Sequence, residues 1–290
     1  FSNLLQKAKL MFRFIIRVLY LPLFLVGGNA LAIGLVSAGY SKLWLIVLGI
    51  GFVLLAFVLE AAAPFDKNFN RPQGDRLRDF LHAFFNEAAN IGGLLLLPLV
   101  SGLLVFPSVW PTELALWQQL LIAIFIADIG ITLVHFASHK LDILWRLHAV
   151  HHSVKRMYGF NGLMKHPLHQ LLETLAGTTP LLLLGVPQQV LTLLVVAVVL
   201  QLLLQHSNVN YFTGPLKYLL AINKVHRFHH LKTAEEGDVN FGLFTQFTDM
   251  LLGTRFYDKH RIISVGDLGI GQQPNYPDGY LQQLLQPFRR

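Results

Sequence analysis

Eight histidines of this chain fall into three short clusters, and imidazole is the commonest metal ligand among side chains. The clusters are His135-Phe-Ala-Ser-His139, His148-Ala-Val-His151-His152 and His226-Arg-Phe-His229-His230. Imidazoles this close to one another must either titrate together or hold metal. Two metal ions would use all of them, so the pattern predicts a metal site with two ions.

The spacing within each cluster is that of one helix face. Residues i, i+3 and i+4 project from the same side of an α-helix. His135 and His139 have the i,i+4 spacing, and the other two clusters have the i,i+3,i+4 spacing. Each cluster is therefore predicted to present its rings in one direction. A lone histidine such as His82 is interpreted as a hydrogen-bonded core residue, but three unliganded clusters would leave donors and acceptors unmatched.

The composition of the chain is that of a membrane protein. Of its 290 residues, 53% are hydrophobic and 13% are charged, whereas soluble domains carry roughly 25% charged residues. Because there is no cysteine, disulfides, iron–sulfur clusters, thiolate-ligated haem and cysteine-based zinc sites are excluded. The formal net charge of +7 fits anionic lipid headgroups better than nucleic acid, so no nucleic-acid partner is expected.

Four apolar segments approach the roughly 20 residues that a helix needs to cross the hydrocarbon core. They are residues 10–38, 43–63, 80–106 and 114–134. A fifth stretch, 168–204, is interrupted at Gly185-Val186-Pro187 and predicts a helical hairpin that returns to the side on which it entered. The predicted fold is all-α: a polytopic transmembrane helical bundle of four spans plus a helical hairpin, with a cytosolic histidine-rich cap.

Basic residues assign the face of this bundle on which the histidines lie. Lysines and arginines gather before or within the first span, after the second and after the fourth, whereas loops 39–42 and 107–112 hold one lysine between them. By the positive-inside rule, the histidine clusters lie on the cytosolic face. We expect an integral, multi-pass protein of the bacterial inner membrane or the endoplasmic reticulum. Residues 1–112 are predicted as N-terminal transmembrane spans and 113–290 as the catalytic region, integrated into one domain.

The ligand chemistry leaves several metals open. Imidazole ligation without thiolate suits iron, zinc, copper or nickel. Structural zinc takes four ligands, so eight or nine histidines fit two metals with open positions. Open positions on iron suit O₂ activation, and burial in a membrane points to a lipid substrate. Zinc also fits as an occupant, because affinity for divalent metals does not by itself select iron.

The clusters, their order and their flanking residues resemble the fatty acid hydroxylase / sterol desaturase superfamily of membrane di-iron enzymes. The resemblance runs from about residue 125 to near the C-terminus. It is carried by Leu144-Trp-Arg-Leu-His148-Ala-Val-His151-His152-Ser153, Lys165-His166-Pro167-Leu168, His206-Ser207-Asn208-Val209, Asn240-Phe241-Gly242, Asp249 and Leu252-Gly253-Thr254. Two departures leave the ligands intact. Lys140 stands where an arginine often follows the first cluster, and Phe247 begins a stretch where a tryptophan before the aspartate is common.

The resemblance implies two iron ions and O₂ as co-substrate, acting on a C–H bond of a fatty acyl, sterol or related lipid by hydroxylation or desaturation. It implies the eight cluster histidines as ligands and His206 as the best candidate for a ninth. Asn210, one helical turn later, is a further ligand or supporting group. The resemblance also implies a separate electron donor. Because the chain shows no flavin, nicotinamide or haem-binding module, a protein of the cytochrome b5, ferredoxin or rubredoxin type is expected.

Other polar residues are predicted to support the ligands by hydrogen bonds. Asp128 lies about two helical turns before His135, where its carboxylate could accept a hydrogen bond from a ligating imidazole. His166 and His169 follow the second cluster, where packing or headgroup contact is favoured over metal binding. The remaining candidates are Glu173, Asp238, Asn240 and Asp249.

Two other functions remain open at this stage. A membrane zinc-dependent hydrolase would use zinc-bound water, but it usually needs a carboxylate beside its ligands, and no cluster contains one. A bis-His haem electron carrier needs only two to four facing histidines. That function leaves the adjacent pairs His151-His152 and His229-His230 without a role.

Overall fold

The computed structural model of the protein describes residues 2–101 and 108–289, and over these residues the chain is helical without extended strands. The α-helices are α1 (Ser2–Pro22), α2 (Asn29–Ser37), α3 (Leu43–Ala62), α4 (Arg76–Ser101), α5 (Leu116–Lys140), α6 (Asp142–His152), α7 (Pro167–Leu183), α8 (Gln188–His206), α9 (Asn223–His229), α10 (Ala234–Gly237), α11 (Phe247–Leu252) and α12 (Tyr280–Leu285). A π-helical turn, Leu23–Gly28, joins α1 to α2. Short 3-10 turns cover Lys67–Asn70, Gly159–Leu163, Gly214–Tyr218, Val265–Asp267 and Gln286–Phe288.

Four helical segments are long and apolar enough to cross a membrane: residues 3–37, 43–62, 116–140 and 188–206. The first three expose large apolar side chains such as Phe14 and Val58, as lipid-facing surfaces do. The fourth, α8, is mostly buried and forms the centre of the bundle. The predicted all-α fold, with apolar helices and a histidine-rich cap, is confirmed.

One of the predicted spans is described only in part. The predicted span 80–106 coincides with most of α4, and its last residues, 102–106, lie outside the described residues. Within the described part of the chain, α4 is not among the four candidates, whereas α8, predicted as half of the hairpin, is one of them.

The first turns of α4 carry polar side chains that are buried inside the protein. His82 is buried, and its Nε2 lies 3.0 Å from Oε1 of Gln283 near the end of the chain. Asn86 is also buried and donates to the carbonyl of Lys165 at 2.9 Å. This half of α4 therefore packs against the cap.

The predicted hairpin is present as α7 and α8, which meet at a tight turn. Gly185 lies in this turn with φ 75°, a conformation that favours glycine. The α7 helix packs so closely against α5 that a Cβ on Gly130 would lie 2.2 Å from the carbonyl oxygen of Ala176. Small residues allow such close approach of helices in membranes. The contact positions the end of α5, where the first histidine cluster lies.

Buried polar contacts tie the cap to the bundle. The Glu60 carboxylate, at the end of α3, accepts hydrogen bonds from the backbone N–H of Gly159 (2.7 Å) and Asn208 (2.9 Å). Arg156 donates to the Asp75 carboxylate at 2.6 Å. Burial alone would raise the pKa of Asp75, but the hydrogen bonds and charge of Arg156 lower it below its ordinary value. These contacts hold the segments before and after the histidine helices in place.

Candidate metal centre

The structure brings the eight cluster histidines and His206 together where α5, α6, α8 and α9 meet. They form two groups, and in each group one ring nitrogen per residue lies within 4.8 Å of the others. The first group, called site A, contains His135, His139, His148, His152 and His229. The second group, called site B, contains His151, His206, His226 and His230.

The second and third clusters each contribute to both sites. The prediction that each cluster presents its rings in one direction was therefore wrong for these two clusters. On α6, His148 and His152 belong to site A and His151 to site B. On α9, His229 belongs to site A, whereas His226 and His230 belong to site B. In each cluster the i,i+4 pair stays together. The residue beside it is turned by about 100° around the helix axis and points to the other site.

The nitrogen atoms converge at distances that fit metal coordination. In site A, Nε2 of His135 lies 2.8 Å from Nε2 of His229, and Nε2 of His152 lies 3.0 Å from those of His148 and His229. In site B the Nε2–Nε2 distances are 3.1 to 3.2 Å. Two nitrogens bound at about 2.1 Å to one ion lie roughly 3.0 Å apart at a right angle and roughly 3.4 Å apart at the tetrahedral angle.

Hydrogen bonds on the other side of the rings indicate where the protons lie. Nδ1 of His135 donates to the carbonyl of Phe241 at 2.7 Å, and Nδ1 of His229 donates to the carbonyl of Val239 at 2.9 Å. A neutral imidazole carries a proton on only one of its ring nitrogens, so each of these Nε2 atoms has a lone pair and no proton. The two Nε2 atoms nevertheless lie 2.8 Å apart. Lone pairs at this distance repel unless a cation lies between them. The donor set therefore fits a metal ion.

Burial keeps the histidines of the cap neutral. It lowers the pKa well below the ordinary value in six of them, namely His148, His151, His152, His226, His229 and His230. The neutral ring is the form that binds metal. In site B, His151 also donates from Nδ1 to the carbonyl of Met164 at 2.9 Å, which leaves its Nε2 free as a ligand atom.

Asp238 is the carboxylate that contacts a histidine of site A directly. Nδ1 of His139 lies 2.8 Å from Asp238 Oδ1, and Lys140 Nζ donates to Oδ2 at 2.6 Å. Partial burial by itself raises the pKa of Asp238, but these two hydrogen bonds lower it to about 2. The carboxylate thus stays ionised, orients the imidazole and increases its basicity toward a metal.

We expect Asp238→Asn to weaken metal binding at site A by about ten- to a hundredfold, the usual effect of losing such a carboxylate. The asparagine keeps the shape but removes the charge that fixes the proton on Nδ1 of His139. The measurement is a competition titration against a chelator. Asp142→Asn is the matched control, since Asp142 lines the same cleft but is exposed and pairs with Arg146. Equal affinities in the two variants would contradict this role for Asp238.

Asp128 supports the site differently from the prediction. Its buried carboxylate accepts hydrogen bonds from the backbone N–H groups of Leu243, Phe244 and Thr245, at 2.8 to 3.1 Å, instead of one from an imidazole. The expected contact with a ligating ring is therefore wrong. The carboxylate instead holds the loop whose Phe241 carbonyl accepts the hydrogen bond from the His135 ring.

Asp249 holds the same loop from the other side. Its two oxygens accept hydrogen bonds at 2.8 Å from the backbone N–H groups of Phe241 and Gly242. Asn240 has φ 55°, and its side-chain amide donates at 2.9 Å to the carbonyls of Val225 and Phe256. It thus ties the helix carrying the third cluster to the segment after α11. Both residues act on backbone that positions ligands, without touching an imidazole.

The remaining candidates lie at different distances from the sites. His169 packs its ring against that of His148, with centroids 4.4 Å apart, and its Nε2 lies 2.9 Å from Ser138 Oγ. His166 caps α7 by accepting a hydrogen bond from the backbone N–H of Leu168 at 3.2 Å. The backbone of Asn210 donates to the carbonyl of Ala63 at 3.1 Å and accepts a hydrogen bond from Arg17 at 2.7 Å.

An open cleft leads to site A, and sequence reasoning gave no role to the residue at its wall. The cleft is lined by His139, His152 and His229 together with Trp145. The Trp145 ring lies 5.1 Å from the ring of His139 and 5.3 Å from that of His152, measured between centroids. Its position on α6, one turn before His148 and two turns before His152, was a signal available from the sequence.

Comparisons with known proteins agree with this geometry. Residues 120–254 match the family described as fatty acid hydroxylase. The chain is 32% identical over 259 residues to the ornithine lipid hydroxylase OlsE of Rhizobium tropici, covering 86% of this chain and 76% of that protein. It is 28% identical over 139 residues to an alkylglycerol monooxygenase of Danio rerio, covering 47% of this chain and 30% of that protein. No solved structure matches the chain.

The chain belongs to the fatty acid hydroxylase family, since it covers most of a relative that is about one third identical. The resemblance inferred from the histidine clusters is thereby confirmed. Hydroxylase and monooxygenase relatives support an oxidoreductase, and the apolar helices support a location in a membrane.

Proposed function

We propose that the protein is an integral-membrane, O₂-dependent lipid hydroxylase with two iron ions held by sites A and B. The observation that carries this proposal is the convergence of ring nitrogens from two adjacent groups of buried histidines. Nine nitrogen ligands divided five and four leave coordination positions for a co-substrate on six-coordinate ions. Zinc fits the same nitrogen donors, so iron is part of the proposal.

Iron ions held by the histidines of sites A and B would supply the redox chemistry that activates dioxygen. One oxygen atom would enter a C–H bond of the lipid and the other would leave as water, with two electrons from a donor protein and two protons from solvent. The chain's own part is to keep nine imidazoles neutral and to fix the protons of His135, His139, His151 and His229 on Nδ1. A separate redox protein of the cytochrome b5, ferredoxin or rubredoxin type is proposed as donor.

Hydroxylation is favoured over desaturation because the two relatives are named as a hydroxylase and a monooxygenase. The substrate is proposed to be a membrane lipid with a polar headgroup, and lipids bearing an ornithine headgroup are the first to test. The basic loops favour a cytosolic position for both sites. The family match at 120–254 lies inside the proposed catalytic region, 113–290, and residues 1–112 are proposed as its membrane-spanning part.

The test is lipid mass spectrometry of cells that produce the protein, with cells producing His229→Ala as the control. We expect a lipid that gains one oxygen atom only with the unchanged protein, and close to two non-haem iron ions per purified chain. A lipid that instead loses two hydrogens would contradict hydroxylation. Zinc as the only metal supporting activity, with hydrolysis products, would contradict the iron proposal, and a haem absorption band would contradict non-haem chemistry.

A further inference from the structure

A small cavity of about 10 Å³ lies between sites A and B and shares no lining residue with the open cleft. Histidines of both sites line it, among them His135 and His148 of site A and His206 and His226 of site B. A small molecule in this cavity would touch both groups at once. Under the proposed function, this is where dioxygen would be reduced.

Two charged side chains face this cavity, and they come from the segment that leads into α7 and from α7 itself. Lys165 and Glu173 both line the cavity and form an ion pair, with side chains 8% and 6% exposed. The Lys165 carbonyl is held by Asn86 at 2.9 Å. The other Glu173 oxygen lies 3.8 Å from Nδ1 of His169.

Burying such a pair is costly, and apolar side chains of similar size would often stabilise a fold as well or better. The other walls described for this cavity are the histidines, Gln205 and apolar or glycine residues. Gln205 is not a free donor, because its Nε2 already donates to the carbonyls of Gly242 and Leu243. The ammonium of Lys165 is therefore the positive charge that a ligand in the cavity would meet.

We propose that Lys165 stabilises the negative charge that develops on dioxygen in this cavity, and that Glu173 holds the ammonium in position and moderates its charge. The proposal rests on the proposed function, which supplies both the electrons and the co-substrate. Lys165 is a catalytic residue in this scheme, and Glu173 is a positioning residue.

The opposite charges of Lys165 and Glu173 distinguish the proposed role from that of a purely structural ion pair. If the pair served only to join its segment to α7, Lys165→Met and Glu173→Gln would both break it and would disturb the cavity alike. In the proposed role the two substitutions act in opposite directions. Losing Lys165 removes the attraction for an anion in the cavity, whereas losing Glu173 removes the charge that offsets it.

Azide is a suitable probe, because it is a small anion that needs neither the lipid nor the electron donor. We expect Lys165→Met to weaken azide binding to the oxidised, iron-loaded protein by about tenfold, the lower end of the effect of an opposite charge within contact range. Glu173→Gln should strengthen it by a similar factor. Lys165→Arg, which keeps the charge, should stay close to the unchanged protein. Azide affinity is read from the optical spectrum, and metal content is measured in each variant.

A double variant keeps the test usable if a single substitution leaves a buried charge that prevents folding. Lys165→Met combined with Glu173→Leu removes both charges, an exchange that buried pairs tolerate. Because the two effects oppose one another, the double variant should bind azide about as tightly as the unchanged protein and about tenfold more weakly than Glu173→Gln. Unchanged azide affinity in Lys165→Met, at full metal content, would overturn the proposal, and so would weaker binding in Glu173→Gln or equal binding in Glu173→Gln and the double variant. Absence of metal from the unchanged protein would instead overturn the proposed function, so the two failures are distinguishable.

Discussion

Replacing His229 with alanine is expected to remove the metal ion of site A, leave that of site B and abolish lipid hydroxylation. Nε2 of His229 lies 2.8 Å from that of His135 and 3.0 Å from that of His152, so its loss opens the centre of the site. His206→Ala should do the reverse, because His206 lies 3.2 Å from the Nε2 atoms of its three partners in site B. The metal content of each purified variant should fall from about two ions per chain to about one, since each site is proposed to hold its own ion.

His260→Ala is the matched control for both substitutions. It removes an imidazole from an exposed position that belongs to neither site, so metal content and activity should match the unchanged protein. Two ions per chain in His229→Ala or His206→Ala would contradict the division into sites A and B. A loss of metal in His260→Ala would show that the metal ligands are assigned incorrectly.

The sequence predicted the parts of this site that depend on helix periodicity and on local hydropathy. The i,i+4 pairs His148–His152 and His226–His230 do share a site, because residues four apart lie on one helix face. The apolar helices and the hairpin before His206 were also predicted, since each follows from a run of apolar residues with glycine or proline at its ends. Helix periodicity and hydropathy are both local signals, because each can be recognised within a segment no longer than one membrane span.

The parts that could not be predicted depend on contacts between distant segments. The acceptors for the ring protons of His135 and His229 are the backbone carbonyls of Phe241 and Val239, and a carbonyl has no sequence signature. Asp128 was expected to contact a ligating ring near His135, about two turns away on its own helix. It contacts instead a loop more than a hundred residues later in the chain, which periodicity does not report.

The start of α4 shows the same limit. His82 was predicted to be a hydrogen-bonded core residue and is buried, but the sequence did not indicate its partner or that of Asn86. Each of these side chains is buried with a partner from the cap, Gln283 and Lys165. The polar residues of α4 therefore pack against the cap, although the composition of the helix is mainly apolar.

Replacing Gly162 with alanine is expected to remove the metal of site B, although this residue is not a ligand. Gly162 lies in the 3-10 turn Gly159–Leu163 beside the end of α8. A Cβ at this position would lie 2.6 Å from Nδ1 of His206 and 2.8 Å from the carbonyl oxygen of Leu202. The backbone of α8 cannot easily yield, so the imidazole must move out of the distance range that coordination requires. A displacement of this size at a reacting centre can cost about a hundredfold in rate.

Gly266→Ala is the control for this substitution, because a Cβ on Gly266 would meet no atom within 4 Å. Overpacking at Gly162 should also lower stability by about 1–3 kcal/mol, so loss of metal alone would not separate a local effect from unfolding. The two sites provide the separation. A folded Gly162→Ala protein should keep the ion of site A and lose that of site B, since the ligand nearest to the added methyl group is His206. Loss of both ions together would indicate unfolding, and retention of both would show that the His206 ring is not held by the close packing of this turn.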